Sequence, residues 1–197
     1  MKSKRKLFGV KSRFLAFFAV AVLAVFGMAS CTSSQATAGP EKSEASGMTV
    51  DGLRVMPVAR SMVSSNIFPW NNPPGITMND HGWMVFDGSQ TTMWDPYGDV
   101  DPDTIGQWIL VDLGEGNEQA VGGIRFMPRS NLPERMSGAV FQASEDGINW
   151  VELYEINATP SIGWNNINID NSIAYRYYRY YAAAAGDVVQ IEYWVRI

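Results

Sequence analysis

Beyond residue 50, apolar and polar positions follow the two-residue period of strands. Residues 166–170 alternate strictly, with Ile167 and Ile169 on one face and polar side chains on the other. Residues 175–181 form an aromatic run of high strand propensity. Further strand-like runs, separated by turns that contain Gly or Pro, cover residues 108–113, 122–127, 139–144, 150–156 and 188–194. Several short strands spaced by turns predict an all-β sandwich or barrel.

The first 30 residues have the composition of an export signal. Six basic and no acidic residues lie in residues 1–13, and an uncharged apolar stretch follows at 14–29. That stretch is shorter than the roughly 20 apolar residues of a spanning helix. It ends at Met28-Ala29-Ser30-Cys31, which resembles the lipobox of bacterial lipoproteins, with Met28 where Leu is usual. The resemblance implies lipidation of Cys31 and anchoring to a membrane of the bacterial envelope; the alternative is a cleaved secretory signal beside an incidental cysteine.

The composition of the chain after the signal predicts a flexible linker followed by one folded domain. Residues 31–47 are small and polar and cannot bury enough apolar surface to order themselves, which predicts a flexible linker. Residues 48–197 remain, which is enough chain for one domain with its own core.

The distribution of charge argues against a nucleic-acid partner. The chain has 15 basic and 20 acidic residues, and six of the basic ones precede Cys31. The remainder therefore carries nine basic against 20 acidic residues, a formal charge of −11, whereas a nucleic-acid-binding domain shows a basic surface. A single cysteine also excludes an internal disulfide.

Six short motifs occur in an order typical of one known family. They are Asp-Gly-x-x-x-Thr-x-Trp at 87–94, Trp-x-x-x-Asp-Leu-Gly at 108–114, an apolar strand ending in Pro-Arg at 124–129, Ser-x-Asp-Gly-x-x-Trp at 144–150, an Arg-Tyr strand at 175–181 and Val-Gln-Ile-Glu at 189–192. This pattern resembles the discoidin domain, also called the coagulation factor five/eight type C domain, over about residues 50–197.

The resemblance implies an eight-stranded jelly-roll β-sandwich of the galactose-binding type. In bacteria such domains look like family 32 carbohydrate-binding modules, which are non-catalytic and read sugars with loops at one end of the sandwich. Relatives elsewhere bind lipid head groups or proteins, so the fold alone does not fix the ligand. We therefore expect a glycan ligand, with docking of a protein partner in a structural lipoprotein as the alternative.

The resemblance also implies a structural calcium ion near the Asp-Gly loop. Its oxygen ligands would come from residues of that loop and from one late position in the chain, where the family's Glu is replaced by Gln: Phe86, Asp87, Gln90, Thr92 and Gln190. The alternative is a hydrogen-bonded turn in which Asp87 caps backbone amides. A second acidic run at 99–103 lacks the Gly and Glu of a calcium loop, which favours a solvated loop.

Candidate sugar-binding residues lie in a long loop at 66–84 and after the Pro-Arg strand. A sugar offers an apolar C–H face for stacking and hydroxyls for hydrogen bonds. Trp70 is the stacking candidate, His81 and Tyr97 are further candidates in the loops, and the resemblance adds Arg129 and Asn131 as hydroxyl-binding groups. Trp94, Trp108 and Trp150 fit the core better.

Catalysis finds little support in the sequence. One histidine and one cysteine do not supply ordinary Cys-His or zinc sites, and no Gly-x-Ser-x-Gly motif accompanies His81. A carboxylate pair for glycoside hydrolysis remains open among 20 acidic residues, but no motif singles out two of them. We therefore expect a binding protein and not an enzyme.

Overall fold

The computed structural model describes residues 52–69, 73–96, 106–183 and 185–197. Trp70, Tyr97, Cys31, the linker and the acidic run at 99–103 lie outside these residues. The described strands are β1 Leu53–Val55, β2 Val63–Ser65, β3 Gln107–Asp112, β4 Val121–Pro128, β5 Val140–Ser144, β6 Val151–Glu155, β7 Asn165–Asn168, β8 Tyr177–Ala182 and β9 Val188–Arg196. One α-helix, α1, spans Met78–Trp83, and 3-10 turns span Arg60–Met62 and Pro133–Met136.

Two antiparallel sheets form the sandwich. The four-stranded sheet has the order β1-β9-β4-β7, and the five-stranded sheet has the order β2-β3-β8-β5-β6. The predicted all-β jelly roll is confirmed, with nine strands in the described part of the chain where eight were expected. The three-residue strands β1 and β2 are too short to show an alternating pattern in sequence.

The core is rich in aromatic side chains, and β8 contributes tyrosines to it. Side chains of β8 lie alternately in the space between the two sheets and on the outer face. Tyr178 and Tyr180 are fully buried, while Arg179 between them lies on the opposite face. The Tyr180 ring packs 5.2 Å, centroid to centroid, from Phe141 of β5 and meets Trp94 edge-on at 6.0 Å. The Tyr180 hydroxyl donates to the Gly186 carbonyl at 3.0 Å, so the polar end of this buried ring is satisfied.

The loop predicted at 66–84 contains the helix α1, and the sequence pattern predicted no helix there. Thr77 caps the helix, since its hydroxyl accepts from the Asp80 N–H at 3.1 Å while the Asp80 carboxylate accepts from the Thr77 N–H at 3.0 Å. Gly82 lets the helix lie against β2, because a Cβ there would sit 2.9 Å from the Ser65 Cβ. Six residues with an internal glycine give a weak helical pattern.

No described helix has the length and hydrophobicity needed to span a membrane.

Candidate functional site

Three chain segments meet at one end of the sandwich and define the candidate site. Trp94 exchanges backbone hydrogen bonds with Val188, at 2.9 and 3.1 Å, and Pro128 at the end of β4 is also paired with Val188. The residues flanking this junction, Asp95 and Arg129, are therefore brought together. Trp94 is fully buried and donates its indole N–H to the Ser65 hydroxyl at 3.0 Å, which fixes the segment before Asp95.

Arg129 is oriented by three side chains around it. Its Nη1 donates to Asp95 at 3.0 Å and to Asp187 at 3.2 Å, and its Nε donates to the side-chain Oδ1 of Asn131 at 2.9 Å. None of the described residues accepts a hydrogen bond from Nη2. The side chain is 27% exposed, so a guanidinium fixed by three acceptors keeps two Nη2 hydrogens for which the described residues offer no acceptor.

Asp187 is the buried anchor of the cluster. Its side chain is fully buried, and its Oδ2 accepts from both Arg129 and Arg135, the latter at 2.9 Å. No described residue donates to its Oδ1. Burial, reinforced by the charge of Asp95, raises the pKa of Asp187, while Arg135 and Arg129 act in the opposite direction. Asp95, Asp187 and Arg135 were not singled out in the sequence, where nothing local links them.

His81 lies in the core, which corrects its interpretation as a sugar-contacting residue. The ring is 1% exposed, and both nitrogens are used within the protein: Nδ1 lies 3.1 Å from the Ile67 carbonyl, and Nε2 accepts from the Asp95 N–H at 3.0 Å. These partners require a neutral ring with the proton on Nδ1. Burial lowers the pKa of His81 below 6.5, in agreement with that state. His81 therefore positions Asp95 and the chain at Ile67.

His81 also ties Asp95 to a segment that carries an exposed aromatic side chain. Phe68 follows Ile67 directly and is 46% exposed, one of the few large apolar side chains left in solvent in the described part of the chain. Trp70, the predicted stacking residue, and Tyr97 lie outside the described residues and stay predictions. Asn131 is exposed and contacts Arg129, so the structure brings these two predicted residues together.

The residues predicted to hold calcium are brought together only in part. The Asp87 carboxylate accepts hydrogen bonds from Thr92 and from Gln190. The Phe86 ring is buried in the core and the Gln90 side chain is exposed, and the backbone oxygens of these two residues stay predicted ligands. Backbone oxygens of two residues that were not predicted, Met84 and Ser89, complete the cluster. Within the described ranges, no group of three or more His, Cys, Asp or Glu could hold a metal ion.

A separate groove lies on the outer face of the four-stranded sheet. It has a volume of about 350 Å³ and is lined by residues that include Gly123, Arg125 and Trp194. Arg125 is already engaged, because its Nη1 donates to Glu192 at 3.1 Å and its guanidinium lies 4.3 Å from the Trp164 ring centroid. One carboxylate and one aromatic ring therefore hold Arg125, whereas three side-chain acceptors fix Arg129.

The fold and the loop-end cluster define a two-sheet β-sandwich domain of the discoidin type. The model of the F5/8 type C domain matches residues 73–193 of this chain. The chain belongs to the F5/8 type C domain family.

Solved structures show the same architecture. A CBM62 from Clostridium thermocellum Xyl5A is 29% identical with a TM-score of 0.56, and the alignment covers 68% of this chain and 94% of that one. An F5/8 type C domain from Bacteroides fragilis is 14% identical, with a TM-score of 0.55 and coverages of 75% and 99%. CpGH89CBM32-5 from Clostridium perfringens, solved with GalNAc-β-1,3-galactose, is 16% identical, with a TM-score of 0.50 and coverages of 66% and 92%. The last two likenesses concern the fold alone. No curated protein matches the chain.

Proposed function

We propose that this domain binds a glycan, without catalysing a reaction, at the end of the sandwich marked by Arg129. The observation that carries the proposal is the guanidinium held by Asp95, Asp187 and Asn131 with Nη2 left for a ligand. Sugar hydroxyls accept hydrogen bonds of this kind, and a donor fixed before binding loses little side-chain entropy. The similarity to a carbohydrate-binding module of family 62 supports the same class of ligand.

An aromatic side chain beside Arg129 would supply the second element of sugar recognition. Phe68 is the described candidate because it is 46% exposed and lies next to Ile67, which His81 ties to Asp95. Trp70 lies two residues further on in the same loop and remains a candidate. An aromatic face offers the ring C–H groups of a sugar a contact surface, while Arg129 orients the hydroxyls.

The two described carboxylates beside Arg129 hold arginines, so neither is proposed to act on a substrate. Asp187 has no exposed side-chain surface, and both Asp95 and Asp187 are in ion pairs with Arg129. A glycosidase needs one carboxylic acid and one carboxylate facing the scissile bond. The proposed role is therefore binding.

We propose further that the domain is displayed on the bacterial envelope by a lipid on Cys31, through the linker at 31–47. One shallow sugar site is weak, with a Kd near 1 mM, or about −4 kcal/mol. Many copies on one membrane would raise the effective affinity by avidity. Replacing Cys31 with Ser should move the protein from the membrane fraction to the soluble fraction; retention in the membrane would contradict the anchor.

A glycan array tests the proposed ligand class. The purified protein should bind members of a panel of galactosides, N-acetylhexosamines and uronic acids, and calorimetry on the positive glycans should give a 1:1 stoichiometry. Uniform absence of binding would contradict glycan recognition. Capture of one stoichiometric protein partner that excess sugar does not displace would favour the alternative, a structural lipoprotein that docks a partner.

A further inference from the structure

The side-chain amide of Gln190 lies at the centre of the Asp87 loop. Gln190 is 4% exposed, and the hydrogen bond from the Ile191 N–H to the Val85 carbonyl, at 2.8 Å, holds the loop along β9. The amide nitrogen of Gln190 lies 3.0 Å from the Met84 carbonyl, 2.8 Å from the Ser89 carbonyl and 3.1 Å from the Asp87 carboxylate. Three oxygens from separate groups thus face one nitrogen.

The donors and acceptors in this cluster balance without a cation. The Thr92 hydroxyl donates to the same group of oxygens, 2.8 Å from the Asp87 carboxylate and 3.1 Å from the Ser89 carbonyl. Two amide hydrogens from Gln190 and one hydroxyl hydrogen from Thr92 therefore face three acceptor groups. Buried carbonyls left without such partners would be costly.

The backbone fixes which way the Gln190 amide points. The Gly88 N–H donates to the Gln190 Oε1 at 3.1 Å. Turning the amide to offer its oxygen to the cluster would set the NH₂ group against this N–H, so that two donors would face each other. The arrangement favours an amide donor and not an oxygen ligand in the centre.

Calcium does not fit this cluster as its side chains stand. Calcium takes six to eight oxygen ligands at about 2.3–2.6 Å, with carboxylates supplying most of the charge. Here Asp87 is the single carboxylate, and a nitrogen lies where the oxygens converge. We infer that the Gln190 amide takes the place of the calcium ion implied by the family resemblance, so that the loop at 84–92 is held without a metal.

The melting temperature of the wild-type protein gives the first test. We expect the Tm in excess EDTA and in millimolar calcium to agree within about 1 °C, and calorimetric titration with calcium to give no saturable heat. A resident calcium at about 100 times its Kd would raise Tm by roughly 5–10 °C. A saturable rise of that size in the wild type would overturn the inference.

Substitution of the amide gives the second test. Gln190→Glu places two carboxylates in one cluster, so we expect Tm in EDTA to fall by roughly 4 °C or more and calcium to restore most of the loss. Gln190→Met removes the donor without adding an oxygen, so calcium should not reverse the decrease in Tm that this substitution causes. Gln142→Glu on β5 is the charge control, because its side chain already accepts from Arg179 and should stay calcium-insensitive.

The possible results separate cleanly. Calcium rescue of Gln190→Glu alone supports an amide in place of the metal. Calcium rescue of Gln190→Met, or a Gln190→Glu Tm in EDTA equal to that of the wild type, contradicts it. If Gln190→Glu does not fold in either solution, the wild-type titration and the Gln190→Met comparison decide.

Discussion

Replacing Arg129 with Lys should separate glycan binding from support of the fold. Lysine keeps the positive charge beside Asp95 and Asp187 but loses the planar fork and the two Nη2 donors. Alanine would be a poorer choice, because Asp187 is fully buried and would keep one arginine instead of two. Removing one partner of a buried ion pair costs about 3–5 kcal/mol, which would confuse binding with unfolding.

The expected loss of affinity follows from the two unused donors of Arg129. A hydrogen bond to a charged group contributes about 1.5–3 kcal/mol. Two at the lower end give about 3 kcal/mol, or a ~100-fold weaker Kd. The loss of stability should be smaller, about 1 kcal/mol, because Arg135 still pairs with Asp187; that lowers Tm by about 2–4 °C.

Binding should be measured on a surface densely coated with a glycan that the wild type recognises. The Kd of a single weak site would lie outside the range that the measurement can resolve. Arg176→Lys is the matched control. Arg176 forms a two-point ion pair with Asp112, at 2.7 and 2.9 Å, at the end of β8 remote from the candidate site. It should lose a similar small amount of stability and keep full binding. The reasoning is refuted if Arg129→Lys binds like the wild type, or if Arg176→Lys loses binding equally.

Three further predictions concern the residues that support the site. His81 has a lowered pKa, so the stability from its neutral ring is complete above about pH 6.5 and is lost as pH falls through the lowered value. The Tm of the wild type should therefore fall between pH 7 and pH 5, and the Tm of His81→Gln should depend less on pH. Parallel profiles of Tm against pH would contradict the role of His81. The pKa of Asp80 is lowered to about 2, chiefly by the Thr77 N–H and Arg60. Asp80→Asn should therefore lower the free energy of unfolding, measured with denaturant, by about 1 kcal/mol at pH 6 after allowance for solvent screening, and by almost nothing at pH 2. A loss of stability that does not depend on pH would contradict this role of Asp80. Phe68→Ala should weaken glycan binding about tenfold with little change in Tm, while Ile162→Ala, which truncates a still more exposed apolar side chain, should leave binding intact. Equal effects of the two substitutions would exclude Phe68 from the site.

The fold could be predicted from sequence because its strands carry local signals. Residues 108–113 and 175–181 were predicted as strands, and β3 and β8 lie there as a paired unit with Asp112 opposite Tyr177. The alternation of buried and outward positions along both strands is a property of each segment by itself. The short elements β1 and α1 were not predicted, because three residues in a strand, or six in a helix that contains Gly82, give little periodic pattern.

The candidate site was predicted less completely because its contacts join distant positions. Arg129 and Asn131 are two residues apart and follow a recognisable strand end, so the motif found them. Asp187 is 58 residues from Arg129, and only the pairing of Val188 with Pro128 and Trp94 brings it there. The burial of His81 likewise depends on backbone groups 14 residues away on either side.

Residues 48–197 contain no lysine, and the arginines there make contacts that depend on the guanidinium. Arg176 pairs with Asp112 through two parallel hydrogen bonds, and Arg179 lies 3.8 Å from the Trp150 ring centroid. Both arrangements need the planar guanidinium, which an ammonium does not reproduce. Arg129 differs from these two in pairing with a fully buried carboxylate, Asp187, as well as with Asp95.

The most direct measurement is a crystal structure of the protein with a glycan identified on the array. Sugar hydroxyl oxygens should lie within about 3 Å of the Arg129 Nη2, with Asp95 and Asp187 still bound to Nη1. A glycan seated in the groove beside Trp194, with Arg129 uncontacted, would contradict it.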